Sequence, residues 1–197
     1  MTTDGLEKLQ ADLRVLEAMA ERIGGYLRGN ALFGKTPGKM PELTLGSYLM
    51  RQHRLVELKP LLSDEEQRRL QNAIDQYNDV MSNNIVRSEQ RAYREFGARL
   101  KQWEEYIREL RRDAKAHFYY YSTAVMPRAM LAELHTMLNT YPYRHDQKLI
   151  DRLLLLDMGL RGIWDSGEFV WPIEWEAAYS PQIYWWLYGQ PTLLRDE

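Results

Sequence analysis

The hydrophobic and polar positions of residues 63–121 predict the helix around which the rest of the chain is arranged. The segment opens with Ser63-Asp64-Glu65-Glu66, a capping box in which serine and glutamate side chains satisfy free backbone amides. It contains no proline, and Gly97 is its one glycine. In its second half, mostly apolar residues recur at alternating spacings of 3 and 4, the period of a coiled-coil core. These seam residues are Tyr93, Phe96, Leu100, Trp103, Ile107, Leu110, Ala114, His117 and Tyr121. We therefore predict a long coiled-coil-like helix over residues 63–121.

The phase of this pattern shifts near residues 82–84. Upstream of the shift the apolar positions have spacings of 4, 3, 4 and 4, and they are Leu70, Ile74, Tyr77, Met81 and Ile85. Either a continuous helix absorbs the shift as a stutter, or the helix breaks into a hairpin with Asn83 or Asn84 as a cap. We favour the continuous helix, because neither glycine nor proline occurs at the shift.

A second heptad pattern predicts an N-terminal helix over residues 4–28. Its apolar positions are Leu6, Leu9, Leu13, Leu16, Ala20, Ile23 and Leu27. A helix of this length is marginal alone, so its apolar stripe needs a partner, and we expect it to pack beside the long helix. Residues 29–46, rich in glycine and proline at their start, are predicted to be a loop.

Residues 47–59 are predicted to form a short amphipathic helix. Ser47 is placed to cap its start, and Pro60 is expected to end it. The distribution of apolar residues leaves His53 and Arg54 on the side that faces solvent.

Two further helices are predicted over residues 127–139 and 146–158. Asp146 is placed to cap the second, and Gly159 to close it. This second helix is apolar on most sides, so we expect it at the centre of a bundle. Residues 1–163 would then form an elongated all-α helical bundle.

Residues 164–197 differ from the rest in being aromatic and acidic. They carry six acidic residues and one arginine. Residues 171–175 alternate as a short strand would, and residues 182–188 could form a helical turn. We predict an irregular extension packed on the bundle, which either seals its end, presents a surface to a protein partner, or forms a pocket for a planar or sugar ligand. The candidate interface residues are Trp103, Tyr119, Tyr120, Trp171, Trp175, Trp185 and Trp186.

The loop contains a match to the phosphate-binding loop pattern G-x-x-x-x-G-K-[ST]. Its candidate nucleotide-binding residues are Gly29, Gly34, Lys35 and Thr36. Such a loop leaves a buried strand and enters a helix, whereas a charged amphipathic helix precedes this one and prolines follow it. Residues 153–157, an apolar run followed by aspartate, resemble the second nucleotide-binding motif, but an apolar helix produces the same letters. A flexible connector is the preferred interpretation of the loop.

Position b of the long helix is basic in five successive heptads. The residues of this basic stripe are Arg87, Arg94, Lys101, Arg108 and Lys115. They could follow the phosphates of a nucleic-acid backbone. However, residues 63–117 carry eleven basic and eleven acidic side chains, and pairs such as Glu95 with Arg99 or Glu104 with Arg108 have i,i+4 spacing. A solvent-exposed, salt-bridged helix face is the preferred interpretation.

Composition restricts the chemistry. The chain of 197 residues has a formal net charge of −2 and no cysteine, which excludes disulfides and thiolate sites. His53, His117, His135 and His145 do not occur in metal-binding helical spacing, and we predict no cofactor or metal. The N-terminus does not resemble a signal peptide, and the longest apolar run is Leu153–Leu156, so we expect a soluble cytoplasmic protein without membrane association.

These patterns favour a non-catalytic helical interaction or scaffold protein that assembles with itself or with a larger complex. The motivation is the pair of heptad segments together with the tryptophans of the C-terminal extension. The first alternative is a helical subunit that binds nucleic acid through its basic stripe. The second is nucleotide binding at residues 29–36. Catalysis and small-molecule binding have little support, although Asp165 and Glu168 lie among aromatic residues, as glycosidase carboxylates do.

Overall fold

The computed structural model describes residues 3–144 and 146–192, and it shows a mostly helical chain with one small antiparallel sheet. The first helices are α1 (Thr3–Ala20), α2 (Ile23–Arg28), α3 (Leu45–Glu57), α4 (Asp64–Ser82) and α5 (Ile85–Arg112). They are followed by α6 (Ala114–Phe118), α7 (Tyr121–Ala124), α8 (Met126–Leu138) and α9 (Gln147–Arg161). The sheet pairs β1 (Trp164–Phe169) with β2 (Tyr188–Pro191). The mostly helical class is confirmed, and the sheet is an addition to it.

The single helix predicted over residues 63–121 is wrong. The chain breaks at Asn83-Asn84 and again at Asp113. At the first break, the side-chain amide of Asn83 donates to the carbonyl oxygen of Asp79 at 2.7 Å, and that of Asn84 donates to Val80 at 2.8 Å. Asp79 still accepts from the backbone N–H of Asn83 at 3.3 Å, but the N–H of Asn84 turns to Met81 at 3.1 Å and leaves Val80 to the Asn84 side chain. The helix therefore ends without glycine or proline.

The two halves of the predicted long helix have different partners. α4 lies against α1, which also packs on α3, whereas α5 lies mainly against α8. Because each half packs elsewhere, the break does not produce a hairpin of two helices lying along each other. Phe96, Leu100 and Trp103 of the seam are nevertheless fully buried in the core, whereas Tyr93 and His117 are half-buried.

Some predicted helix ends are confirmed and others are displaced. Ser63 makes both hydrogen bonds of the capping box, and Asp146 caps α9 by accepting from the amide of Lys148. The N-terminal helix is two helices, α1 and α2, and not one over residues 4–28. α3 begins earlier than expected because Thr44, and not Ser47, is its cap. α9 continues through Gly159 and ends at Arg161.

The position of α9 differs from the prediction that it occupies the centre of a bundle. Its buried residues are Leu153, Asp157 and Leu160, which share one face. Leu149, Ile150 and Leu156 are half-buried against the core, whereas Leu154, Leu155 and Met158 are exposed. α9 therefore packs through one narrow face, and an apolar sequence did not mean a central helix.

The C-terminal extension, which was predicted to be irregular, contains two strands and two 3-10 helices within its described residues. The segment around residues 171–175 was expected to be a strand, but Ile173–Ala178 forms a 3-10 helix. The strands lie outside it, with Trp164 opposite Pro191 and Phe169 opposite Tyr188. A second 3-10 helix, Trp185–Leu187, falls within the predicted helical turn at residues 182–188. None of the helices in residues 3–144 and 146–192 is both long and apolar enough to cross a membrane.

Candidate functional site

The candidate interface residues are distributed between the core and the surface. Trp103 is fully buried, so its assignment to an interface is wrong. Trp186 is also buried, whereas Trp171, Trp175 and Trp185 are half-buried against the helices. Tyr119 and Tyr120 remain exposed, at 81% and 69% of their full area. Most of the tryptophans thus hold the extension on the bundle, as expected if it seals the bundle end.

Three large apolar residues of α9 point away from the rest of the chain. Leu154, Leu155 and Met158 are exposed to 53%, 66% and 68%. At 100° per residue, Leu155 and Met158 lie on the side of the helix away from Leu153, and Leu154 lies on the flank between them and Asp157. We call these three residues the α9 face. Sequence analysis missed it because an apolar run shows that a helix has apolar sides but not which of them has a partner.

The α9 face is oriented by a buried ion pair on the other side of the helix. Arg128 of α8 donates to the Asp157 carboxylate through Nε at 2.9 Å and through Nη2 at 2.7 Å. The Arg128 guanidinium carbon lies 3.5 Å from the ring centre of Trp186. Arg161, at the end of α9, lies in the same way over Trp185, at 4.1 Å. The two arginines therefore fix α9 and the C-terminal extension to each other.

A second set of buried charges holds the extension on α3. Arg54 was expected to face solvent, but it is buried and pairs with Asp12 of α1. Its Nε donates to the Tyr179 hydroxyl at 3.2 Å, and its guanidinium carbon lies 3.4 Å from the ring centre of Trp175. Arg51 lies beside Asp12 at 3.3 Å, and burial lowers the pKa of Arg51. The aromatic side chains that cover Arg54 come from a part of the chain 125 residues away.

His53 is likewise turned inward, contrary to the prediction. Its Nε2 lies 2.7 Å from the carbonyl oxygen of Ala178, and its Nδ1 lies 3.9 Å from the Glu133 carboxylate. The Tyr184 hydroxyl donates to the same carboxylate at 2.8 Å. Burial raises the pKa of Glu133, and the nearby His53 opposes that shift. Because each of these polar groups has a partner inside the chain, the cluster fastens the extension and leaves no open reacting position.

The loop that matches the phosphate-binding pattern lies between α2 and α3. Gly34 pairs with Leu43 in an isolated bridge, and the Thr36 hydroxyl bonds to the carbonyl oxygens of Met40 and Pro41 at 2.9 Å each. Lys35 is exposed. The strand and the helix that flank a phosphate-binding loop do not flank this one in the described structure. Thr36, which would hold a magnesium ion in such a loop, instead closes a turn.

The basic stripe is split by the second helix break. Arg87, Arg94, Lys101 and Arg108 are exposed on α5, but Lys115 lies beyond Asp113 on α6. The prediction that Lys115 continues the stripe on the same helix is therefore wrong. Of the expected i,i+4 pairs, Glu95 does lie near Arg99, at 3.5 Å. Arg108 instead pairs with Glu105, and Glu104 pairs with Arg152 of α9.

Two residues of the stripe line a small cavity that sequence analysis did not indicate. The cavity has a volume of about 230 Å³ and lies between the end of α2, the start of the loop and α5. Its charged residues are Arg28, Arg87, Arg91 and Arg94, and we call it the arginine pocket. Leu27, Gly29, Asn30 and Gln90 complete its wall. The first glycine of the phosphate-loop pattern and the stripe thus meet in one place. Arg28 and Arg91 were missed because neither occupies position b.

The cavity beside Asp165 and Glu168, and metal binding, have less support as functional features. Asp165 and Glu168 line an open cavity of about 510 Å³ together with Tyr119 and Phe169, and both carboxylates are exposed. Exposed carboxylates lack the enclosed surroundings typical of a catalytic acid. In residues 3–144 and 146–192, histidines, aspartates and glutamates do not come together in any group of three that could hold a metal ion. His145 lies outside the described residues.

Comparison with known proteins identifies no relative. No family model matches the chain. Neither a curated protein nor a solved structure shows significant similarity to it.

Proposed function

We propose that this protein is a non-catalytic interaction protein that assembles through the α9 face, with a second copy of itself or as a subunit of a larger complex. The supporting observation is that Leu154, Leu155 and Met158 stand together in water on a helix that is firmly anchored on its opposite side. Burying three such side chains by half to two thirds would contribute roughly 3–5 kcal/mol to association. That is enough to select this face as a contact.

The anchoring of α9 supports this function because a docking face must keep its shape. The ion pair between Arg128 and Asp157 and the stacking of Arg161 on Trp185 join α9 to α8 and to the extension. A preformed face loses little conformational entropy when a partner binds, so more of the apolar contribution appears as affinity.

Site-specific photo-crosslinking of the full-length chain in its native cells tests the proposal. A photo-reactive side chain at position 155 should give a discrete crosslinked product, which runs at twice the mass for a second copy and at another mass for a different partner. The matched control carries the same group at position 86, because Val86 is an apolar residue exposed to 65% on α5, beside the less exposed Ile85 and outside the α9 face. Equal products from both positions, or none from position 155, would refute the proposal.

Substitutions distinguish a specific interface from non-specific hydrophobic association. Leu155→Glu and Met158→Glu should each abolish the product formed from a crosslinker at position 154, while Val86→Glu should leave it unchanged. Light scattering across micromolar concentrations then assigns the partner. A wild-type chain that becomes heavier with concentration, and a Leu155→Glu chain that does not, would support self-association.

A further inference from the structure

The arginine pocket concentrates positive charge where α2 ends beside the first turns of α5. Arg87, Arg91 and Arg94 have i, i+4 and i+7 spacing, which places them on one side of α5 over about 10 Å of the helix axis. Arg28, the last residue of α2, lines the same cavity from the other side. No acidic residue is among those lining the pocket.

The charge at the base of the pocket is held in a fixed position. Arg91 is almost completely buried and donates to the carbonyl oxygens of Tyr26, at 2.9 Å, and of Gly29 and Ala31. Its guanidinium carbon also lies 4.5 Å from the ring centre of Tyr26. These partners are dipoles and a ring and not carboxylates, so they orient the guanidinium without neutralising its charge.

The charges at the rim are available to a ligand. Within residues 3–144 and 146–192, the side chains of Arg28 and Arg87 form neither a hydrogen bond nor an ion pair with another residue. Arg94 uses Nη2 to donate to the carbonyl oxygen of Asn30 at 3.2 Å, which leaves its other N–H groups unassigned. Two other arginines of α5 differ in this respect, because Arg99 lies beside Glu95 and Arg108 pairs with Glu105.

We infer that the arginine pocket is a binding site for a compact phosphate-bearing anion, such as the diphosphate or triphosphate group of a small molecule. Guanidinium groups present paired N–H donors whose geometry matches phosphate oxygens, and several of them together favour a ligand with more than one negative charge. The site is distinct from the α9 face. Gly29 of the phosphate-loop pattern lines this site together with Arg87 and Arg94 of the basic stripe.

The shape of the site favours a small anion over a nucleic-acid strand. A cavity of about 230 Å³ holds a polyphosphate group and little more, being smaller than the roughly 300–1,000 Å³ of most small-molecule pockets. Further along α5, the stripe meets carboxylates, because Glu105 pairs with Arg108 and Glu104 with Arg152. A continuous track for a phosphate backbone is therefore interrupted, whereas the pocket itself is not.

Titration calorimetry of the full-length protein tests the inference, with inorganic phosphate, pyrophosphate and tripolyphosphate at constant ionic strength. Binding should strengthen along that series. Arg28→Gln and Arg87→Gln should each weaken binding of pyrophosphate about tenfold or more, as the loss of a charge-assisted hydrogen bond requires. Both side chains are exposed, so the variants should fold normally, which circular dichroism verifies.

Arg108→Gln is the matched control, because Arg108 belongs to the same stripe on the same helix but lies outside the arginine pocket. It should leave the affinity for pyrophosphate unchanged. The inference is overturned if no anion gives a saturable heat of binding of either sign, or if Arg108→Gln weakens binding as much as Arg87→Gln does. It is also overturned if a single-stranded oligonucleotide binds better than tripolyphosphate and depends equally on Arg87, Lys101 and Arg108, because the stripe and not the pocket would then be the site.

Discussion

Replacing Arg128 with leucine should destabilise the protein more than any substitution of a surface arginine. Arg128 and Asp157 form a two-bond pair whose side chains are only 7% and 10% exposed. Arg128→Leu leaves the Asp157 carboxylate buried without these two donors. Water does not replace the lost donors, because α8, α9 and the Trp186 ring enclose the place that the Arg128 side chain occupies.

The magnitude follows from the cost of an unpaired buried charge. Removing one partner of a buried ion pair costs about 3–5 kcal/mol, a large share of the 5–15 kcal/mol that stabilises a typical domain. The lost contact with Trp186 adds about 1–2 kcal/mol. Replacing both charges should be far less harmful. The Arg128→Leu/Asp157→Leu variant should lie within about 2 kcal/mol of the wild type, since apolar pairs often substitute for buried ion pairs.

Urea denaturation followed by circular dichroism measures these free energies of unfolding. Arg108→Leu is the control, because Arg108 and Glu105 form an exposed pair that should be worth less than about 1 kcal/mol. The buried Nη1 of Arg128 has no hydrogen-bond partner in the described structure, which further lowers the net contribution of the native ion pair to the free energy of unfolding. The reasoning fails if Arg128→Leu costs no more than Arg108→Leu, or if the double variant is less stable than Arg128→Leu alone.

Two further predictions concern the contact between Gly46, at the start of α3, and Glu95 of α5, which accepts from the Gly46 N–H at 3.1 Å. Gly46→Ala should lower the free energy of unfolding by about 1–3 kcal/mol, because an added Cβ would lie 2.8 Å from Oε1 of Glu95 and 3.0 Å from Cβ of Met130. Gly97→Ala, with no atom within 4 Å of the added Cβ, should instead raise it by about 0.5–1 kcal/mol in the same urea assay. Burial raises the pKa of Glu95 above its usual 4.5. The native state then holds this proton more tightly than the unfolded state, so its contribution to stability is present below pH 4.5 and is lost as pH rises through the native pKa. Glu95→Gln should remove that decline, and a wild type without it would contradict the assignment.

The sequence carried enough information for features that depend on nearby residues. The capping box at Ser63 and the cap at Asp146 were confirmed because each requires only a side chain and an amide two or three residues away. The buried seam around Phe96 and Trp103 was also predicted, since helical spacing alone collects apolar residues on one face. Such features need no knowledge of distant parts of the chain.

Features that depend on distant partners could not be predicted. Arg54 lies in a polar stretch of α3, and its burial results from Trp175 and Tyr179 far along the chain. α9 appeared central because it is apolar on several sides, but Asp157 directs one side inward through a partner on another helix. The chain breaks at Asn83-Asn84 without forming the hairpin of the alternative prediction, and asparagine side chains suffice for the break although neither glycine nor proline occurs there.

Arginine shows most clearly why residue type alone does not assign a role in this protein. Arg54 and Arg128 are shielded by tryptophan rings and compensated by aspartates, so they hold the fold together. Arg108 is compensated at the surface and contributes little. Arg28 and Arg87 differ from both groups, because they have neither a carboxylate nor a ring in the described structure. Arg28 and Arg87 line the same cavity as the buried Arg91, and the proposed anion site rests on this convergence of guanidinium groups.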